Sequence, residues 1–191
     1  MRDLLAADHA DRAATEVISR LGAEVYGFLR ASLGSEPDAD DVFAATCERL
    51  WRGLATFRWQ CSLRTWIYVI ARNEAARFAS GAKRRNAGRT SPSQLEEVAA
   101  VIRTETKSVL RTHKRDKFRE LRDELPADDR MLLILRVDRD LPWDDVARAF
   151  LADDGEPATD ELVREAARLR KRFQLVKQRL ATRAREEGLG S

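Results

Sequence analysis

The sequence predicts an all-α protein made of two small helical domains joined by a linker. Apolar residues recur at spacings of three and four along most of the 191 residues, which is the period of amphipathic helices. No stretch alternates with the period of two that a half-buried strand requires. Hydrophobic residues at 43% and charged residues at 35%, with only 9 glycines and 5 prolines, favour a folded chain over a disordered one.

Three helices are predicted in the first domain. The first spans 13–33 and ends at Gly34, and Ser35 then caps a second helix that continues to about Leu54, with Pro37 in its first turn. The spacing predicts that both helices bury one face, made of Val17, Leu21, Val25, Phe28, Leu29, Val42, Phe43, Leu50 and Trp51. The loop 55–62, ATFRWQCS, breaks this period.

The third helix follows that loop and ends in a segment rich in Gly, Ser, Pro and Asn. Its apolar side is predicted to contain Leu63, Trp66, Ile67, Ile70, Ala71 and Phe78. The periodicity is lost at 86–94, which we interpret as linker, and helical spacing returns weakly over 95–125. We therefore place the first domain at 1–86, a partly helical linker at 87–117 and the second domain at 118–191.

The second domain is predicted to hold two short helices and one long one. Pro126 breaks the chain before a helix with Asp128 and Asp129 in its first turn, and Pro142 opens the next helix. An acidic connection, LADDGEPATDE, leads to a final helix from about Asp160 to Glu187. Gly188 can terminate that helix. The residues expected inside are Met131, Leu132, Ile134, Leu135, Val146, Ala147 and Phe150, with a seam of Leu162, Ala166, Leu169, Phe173, Val176 and Leu180.

Charge is strongly segregated although the whole chain carries only +3. Residues 1–57 sum to −4 and residues 58–89 to +7, whereas residues 120–161 sum to −9 and residues 162–191 to +6. Two basic blocks, each preceded by an acidic one, are typical of two separate contacts with a polyanion. Charge alone also allows a simpler interpretation, in which these are solvated helix faces.

Several function classes are disfavoured. Cys47, Cys61, His9 and His113 are the only cysteines and histidines, so neither a four-ligand zinc site nor a disulfide framework is expected, and both thiols are predicted to be reduced and buried. We predict no metal and no cofactor. The sequence lacks both a run of about eighteen apolar residues and a signal peptide, so a cytoplasmic protein without membrane contact is expected. Without paired carboxylates beside a His or Cys, enzyme activity is not predicted.

Two segments carry an ordered set of motifs. The first, DADDVFAATCERLWRGLATFRWQCSLRTWIYVIARNEAARFASGAKRR, contains an acidic helix start (Asp38–Asp41), Trp51, Phe57, a core at Trp66–Asn73 and a basic tail at Lys83–Arg85. The second is ELPADDRMLLILRVDRDLPWDDVARAF, followed later by RFQLVKQRL. These segments resemble regions two and four of the extracytoplasmic-function (ECF) subfamily of bacterial RNA polymerase sigma factors, in the sigma-70 family. The resemblance implies a transcription initiation factor that binds core RNA polymerase and recognises promoter DNA as duplex and as melted strand.

The resemblance also assigns DNA contacts. The aromatic loop and third helix would melt and hold the downstream (−10) element through Arg58, Trp59, Gln60, Ser62, Arg64, Arg72, Asn73 and Arg77, with Trp66 and Tyr68 beside them. Phe57 and Trp66 have a plainer alternative as core residues. A helix-turn-helix in the second domain would read the upstream (−35) element through Arg168, Arg170, Lys171, Arg172, Gln174 and Lys177. Without the upstream motif, that last helix would be interpreted as a charged coiled coil.

By the same resemblance, the second helix docks on the polymerase through Asp38, Asp40, Asp41 and Trp51, although carboxylates at a helix start also stabilise the helix dipole. The chain departs from the family at Ala44 and Ala45, where Gln and Glu are usual, and in the extended turn 151–161. Many relatives are held inactive by an anti-sigma factor, which makes one a candidate partner. The alternative function is a stand-alone helix-turn-helix regulator that binds duplex DNA without polymerase.

Overall fold

The computed structural model describes residues 10–81, 97–103, 117–151 and 157–188. These residues are helical apart from short connections, and no strand occurs among them, as an all-α fold predicts. The chain divides into two compact units, residues 1–112 and 113–191. Each unit is therefore described by itself.

The first unit is a bundle of three helices: α1 (Ala10–Leu33), α2 (Glu36–Leu54) and α3 (Leu63–Ala79). Every pair of these helices is in contact, so the apolar faces meet in one core. Edge-to-face ring pairs join Tyr26 to Phe43, with centroids 5.3 Å apart, and Phe28 to Tyr68, at 5.2 Å. Such pairs add directional attraction to the apolar area that they bury.

Local signals set the helix boundaries where the sequence places them. Gly34 adopts φ +71°, a left-handed conformation that costs glycine little and stops α1. Ser35 then caps α2, because its side chain accepts a hydrogen bond from the Asp38 amide at 3.4 Å. At the start of α3, the Ser62 side chain accepts from the Thr65 amide at 2.9 Å. The predicted cap of α2 is thus confirmed.

A short helical segment, 97–103, completes the described part of the first unit. Its Ile102 is buried, whereas the neighbouring Val101 is exposed. Gly22 of α1 makes room for it, since a Cβ at Gly22 would lie 2.5 Å from Ile102 Cδ1. The absence of a side chain at Gly22 therefore lets this segment pack closely against α1.

The second unit contains α4 (Lys117–Asp123), α5 (Ala127–Leu133), α6 (Trp143–Leu151) and α7 (Thr159–Glu186). The long helix α7 contacts each of the three shorter helices. The residues predicted to face inward from α5, α6 and the turn between them are buried: Met131, Leu132, Ile134, Leu135, Val146, Ala147 and Phe150.

A π-helical turn, Ile134–Asp138, continues directly from α5. The Arg139 amide donates to the Ile134 carbonyl at 3.0 Å, a bond that spans five residues instead of four. The turn brings Leu141 back to donate to the Leu135 carbonyl at 3.0 Å. A search for the 3.6-residue period does not detect such a widened turn.

Some sequence predictions need correction, and others cannot be compared. Cys47 is buried, but Cys61 is only half-buried because it lies in the loop before α3. Trp51, which was expected to be buried, is also half-buried. The basic tail at Lys83–Arg85, the linker segment 86–94 and residues 152–156 of the extended turn lie outside the described residues.

Candidate nucleic-acid interface

Three aromatic rings contact one another in series where the loop between α2 and α3 meets α3: Trp59 and Phe57 in the loop, and Trp66 in the first turn of α3. Phe57 lies on Trp66 with centroids 4.6 Å apart and an interplanar angle of 25°. The ring of Phe57 also contacts that of Trp59, with centroids 5.1 Å apart and an interplanar angle of 53°. We call Trp66, Phe57 and Trp59 the aromatic ladder. The ladder carries π surface from the start of α3 out into the loop.

Trp59 is held in an uncommon backbone conformation, with φ +59°. This left-handed region costs an L-residue about 1–2 kcal/mol relative to ordinary conformations. A conformation of this kind persists only where surrounding contacts enforce it, and it occurs often at binding sites. The side chain of Trp59 is half-buried, and its neighbours Arg58 and Gln60 are exposed. Two polar side chains therefore flank the outer ring of the ladder.

The inner end of the ladder rests on α2. A Cβ at Gly53 would lie 3.1 Å from Cζ2 of Trp66, so the indole packs against the backbone there. Trp66 is nevertheless half-buried. Its role as a packed residue and its position in the ladder are thus compatible.

Behind the ladder, the first turn of α3 is tied to α1 by Glu24. Oε1 of Glu24 accepts hydrogen bonds from Arg64 Nε at 2.9 Å and from the Tyr68 hydroxyl at 2.7 Å. Tyr68 has 0% exposure, so its ring belongs to the core and is not part of a surface on which a base can stack. Arg64 keeps part of its side chain exposed while it holds Glu24.

The other predicted strand contacts lie further along α3. Arg72 and Asn73 are half-buried, and Arg77 donates to Glu74 at 2.7 Å. Asn73 and Arg77 are one turn apart on the same side of the helix. These polar groups therefore lie in the C-terminal half of α3, and Asn73 is on the opposite side of the helix from Arg64, nine residues earlier.

The predicted polymerase-binding residues lie along α2. Asp40 accepts a hydrogen bond from the Tyr26 hydroxyl at 2.6 Å. Burial of Tyr26, followed by this bond to a carboxylate, raises the pKa of the phenol. Trp51 donates from Nε1 to Asp11 at 2.5 Å, and Asp41 is exposed. Asp38 is half-buried in the first turn. Asp40 and Trp51 thus make contacts within the unit, whereas Asp41 lies on the surface.

In the second unit, α7 separates an apolar seam from its cations. Five of the six predicted seam residues are buried, and the sixth, Leu180, is half-buried. Of the predicted base-reading residues, all but Arg172 are exposed: Arg168, Arg170, Lys171, Gln174 and Lys177. The seam prediction is confirmed, and it leaves a polar face toward solvent.

Several of these cations already have partners inside the unit. Arg168 donates from Nε to Glu165 at 2.7 Å, and this carboxylate raises the pKa of the guanidinium further. The Arg170 guanidinium lies 5.5 Å from the centroid of the Trp143 ring, in the geometry of a cation–π contact. Lys177 approaches the ring of Phe173 in the same way, at 5.4 Å.

Arg172 differs from its neighbours because it points toward α5. Its Nε donates to Oδ1 of Asp129 at 2.6 Å, and Arg179 approaches Oδ2 of the same carboxylate at 3.4 Å. Sequence reasoning missed this arrangement because it assigned Asp129 to the helix dipole alone. Glu24 and Trp143 were also missed, since each acts through residues distant in the sequence.

Other kinds of site receive no support from the part of the chain that is described. No group of three or more His, Cys, Asp or Glu side chains suited to a metal ion occurs there. Among the described helices, none is both long enough and apolar enough to cross a bilayer.

Comparison with known proteins identifies one part of the chain. Residues 17–85 match the family model described as Sigma-70 region 2. This segment holds residues 17–33 of α1, the whole of α2 and α3, and the aromatic ladder. A search of curated proteins gives no match. The family match supports the resemblance to sigma-70 factors for the first unit.

Proposed function

We propose that this chain is a transcription initiation sigma factor of the ECF kind, which binds core RNA polymerase and directs it to promoters. The observation that carries the proposal is the match of residues 17–85 to Sigma-70 region 2, with the aromatic ladder inside the matched segment. In this proposal, residues 1–86 act as region two and residues 118–191 as region four, with 87–117 as the linker.

Promoter opening requires a surface that prefers unpaired bases, and no bond needs to be made or broken. Stacking on an aromatic ring contributes about 1–3 kcal/mol per base, and it is open only to a base that has left the duplex. The aromatic ladder would supply this surface, with Arg58 and Gln60 beside its outer ring. The strand would continue along α3 past Ser62, Arg64, Arg72, Asn73 and Arg77. Melting of the −10 element would thus be driven by capture of single strand.

The second unit would read the −35 element as a helix-turn-helix. α7 would lie in the major groove, which is wide enough for a helix and displays the edges of the bases. Its exposed Arg168, Arg170, Lys171, Gln174 and Lys177 would contact bases and phosphates, while the buried seam holds the helix on α5 and α6. Arg172 belongs to the same predicted set, although Asp129 is its partner within the unit.

Polymerase docking is proposed for α2. Asp38, Asp40 and Asp41 form an acidic helix start that can meet basic side chains of a partner, and Trp51 lies at the other end of the same helix. An anti-sigma factor is a further candidate partner, which would compete with core RNA polymerase for binding to the two units of this chain. Neither partner needs a catalytic group in this chain, which agrees with a regulator and not an enzyme.

The test is to mix the purified full-length chain with core RNA polymerase. We expect the two to co-elute in gel filtration, and we expect run-off transcription from a promoter library only when both are present. The chain alone should bind duplex promoter weakly. Tight binding to duplex DNA without any association with core enzyme would contradict the proposal and indicate a stand-alone regulator instead.

A further inference from the structure

Asp129, in the first turn of α5, is a carboxylate almost removed from solvent, with only 8% of its side chain exposed. Both of its oxygens face arginines of α7. Arg172 donates from Nε to Oδ1 at 2.6 Å, and Arg179 Nη1 lies 3.4 Å from Oδ2. Arg172 also approaches the neighbouring Asp128 at 3.8 Å. We call Asp129, Arg172 and Arg179 the carboxylate clasp.

The burial of Asp129 makes its partners structurally necessary. A carboxylate that has left water is strongly destabilising unless a cation and hydrogen bonds replace its hydration. Arg172 supplies the shorter of the two contacts and is itself only 30% exposed. Loss of Arg172 would leave Asp129 with the longer contact from Arg179, whose side chain is 60% exposed.

The two arginines of the clasp lie on one side of α7. Arg172 and Arg179 are seven residues apart, so they project from the same side of α7 after two turns. Arg170 lies on the opposite flank of the buried seam, where it packs over Trp143 of α6. One flank of α7 is therefore bound to α5 by charge, and the other carries an exposed cation beside α6.

These two flanks have different capacities for DNA. An arginine that reads guanine presents its planar fork to two acceptors at once. The Nε edge of Arg172 is already bonded to Asp129, so a contact with a base would compete with a buried ion pair. Arg170 and Lys171 are exposed, and Asp129 makes no such demand on them.

From these contacts we infer that Arg172 is a positioning residue for the second unit and not a base-reading one. This inference rests on the proposed function, in which α7 reads DNA. With Arg179, Arg172 locks α7 to the first turn of α5 and so fixes the register in which the exposed residues of α7 meet the groove. Loss of the clasp should weaken binding to all DNA sequences by the same factor, because it displaces the whole of α7.

The test compares full-length variants in two measurements. Thermal unfolding without DNA reports the clasp itself, for Arg172→Ala, Asp129→Asn and the double variant. We expect each single variant to lower the melting temperature by several degrees. The decrease in the double variant should be well below the sum of the two single decreases, because both substitutions remove the same contact. Arg172→Lys should recover part of the loss. Arg164→Ala is the matched control, because its pair with Asp160 is exposed and should leave the melting temperature unchanged.

The second measurement is transcription with core polymerase from promoters that carry single-base changes in the upstream element. Arg172→Ala should lower the yield several-fold while the ranking of the promoters stays the same. Arg170→Ala should change that ranking, and because it loses only an exposed contact with Trp143, it should lower the melting temperature less than Arg172→Ala does. The inference is overturned if Arg172→Ala changes the ranking and leaves the melting temperature intact. If the parent shows no promoter-dependent transcription, the proposed function fails, and the thermal coupling of Asp129 to Arg172 still decides whether the clasp exists.

Discussion

Arg64, at the start of α3, donates from Nε to Oε1 of Glu24 on α1 at 2.9 Å. The buried Tyr68 donates to the same oxygen, so one carboxylate oxygen gathers two groups from α3. α3 begins directly after the loop that carries the aromatic ladder. Glu24 therefore anchors the element on which that loop depends.

Replacement of Glu24 by Gln should destabilise the first unit. The amide keeps the size of the side chain but loses the charge that Arg64 and Tyr68 bond to, and hydrogen bonds to charged groups contribute about 1.5–3 kcal/mol. Because Glu24 is partly exposed, we expect the free energy of unfolding to fall by about 1–2 kcal/mol, measured in urea. Glu16→Gln is the control, since its pair with Arg20 is exposed and should contribute about 0.5 kcal/mol or less. Equal losses in both variants would contradict the anchoring role.

Two substitutions of Trp59 distinguish the effect of its strained backbone on stability from the effect of its ring on promoter opening. Trp59→Gly relieves the positive φ, and Trp59→Ala retains it, so the Gly variant should be more stable than the Ala variant by about 1 kcal/mol. Both variants lose the outer ring of the aromatic ladder. In run-off transcription both should therefore fail to open a duplex promoter and should recover on a template melted in advance. Normal opening by either variant would count against stacking on Trp59.

Gly22 controls the packing of segment 97–103. Gly22→Ala places a methyl group 2.5 Å from Cδ1 of Ile102, which overpacks the contact. Overpacking costs about 1–3 kcal/mol, more than the gain of about 1 kcal/mol from replacing a helical glycine. We expect reduced stability and faster hydrogen exchange in segment 97–103.

Ile102→Val provides the matched test of this contact, because it removes only the clashing Cδ1 atom. In the Ile102→Val background, Gly22→Ala should lose less stability than it does in the parent. Should the cost be the same in both backgrounds, the source of the destabilisation lies elsewhere.

Burial of Cys47 should make the free energy of unfolding fall at alkaline pH. Burial raises the pKa of its thiol from an ordinary value near 9 to about 12. The folded protein therefore holds this proton more tightly than the unfolded chain. The resulting stabilisation is complete below pH 9 and is lost as the pH rises toward 12. At pH 10.5 the loss should be about 2 kcal/mol relative to pH 8, and Cys47→Ala should lack it.

Urea unfolding at the two pH values measures this difference. Cys61→Ala is the control, since Cys61 is half-buried in the loop. The interpretation fails if Cys47→Ala and Cys61→Ala show the same dependence on pH. Tyr26 adds a loss of the same sign, because burial and its bond to Asp40 also raise its pKa, so some alkaline dependence should remain in every variant.

The helices of this protein could be predicted because their boundaries depend on local chemistry. Ser35 and Gly34 act through their own backbone neighbours, and the seam of α7 follows from the spacing of its apolar residues. Tyr68 shows where this reasoning stops. The resemblance places it beside the predicted DNA contacts, whereas the structure buries its ring in the core against Phe28.

The candidate site was harder to predict because the charged residues have no periodic spacing that shows which partner each side chain contacts. Arg170, Lys171 and Arg172 are adjacent in the sequence and look alike there. Only the fold separates them, by turning Arg172 toward Asp129 and Arg170 toward Trp143. Pairing partners more than twenty residues away cannot be identified from the spacing within one helix.

The π-helical turn at Ile134–Asp138 works as a spacer of a single residue. The hydrogen bond from the Arg139 amide to the Ile134 carbonyl closes one turn over five residues instead of four, so the turn contains one residue more than an α-helix needs. Removal of the exposed Val137 would let a regular turn close there, and the chain that follows would keep its direction. Removal of a residue inside α6 would instead rotate the side chains that follow by about 100° and carry the buried Val146 out of the core. A single deletion within the π-helical turn should therefore be better tolerated than one between Trp143 and Val146.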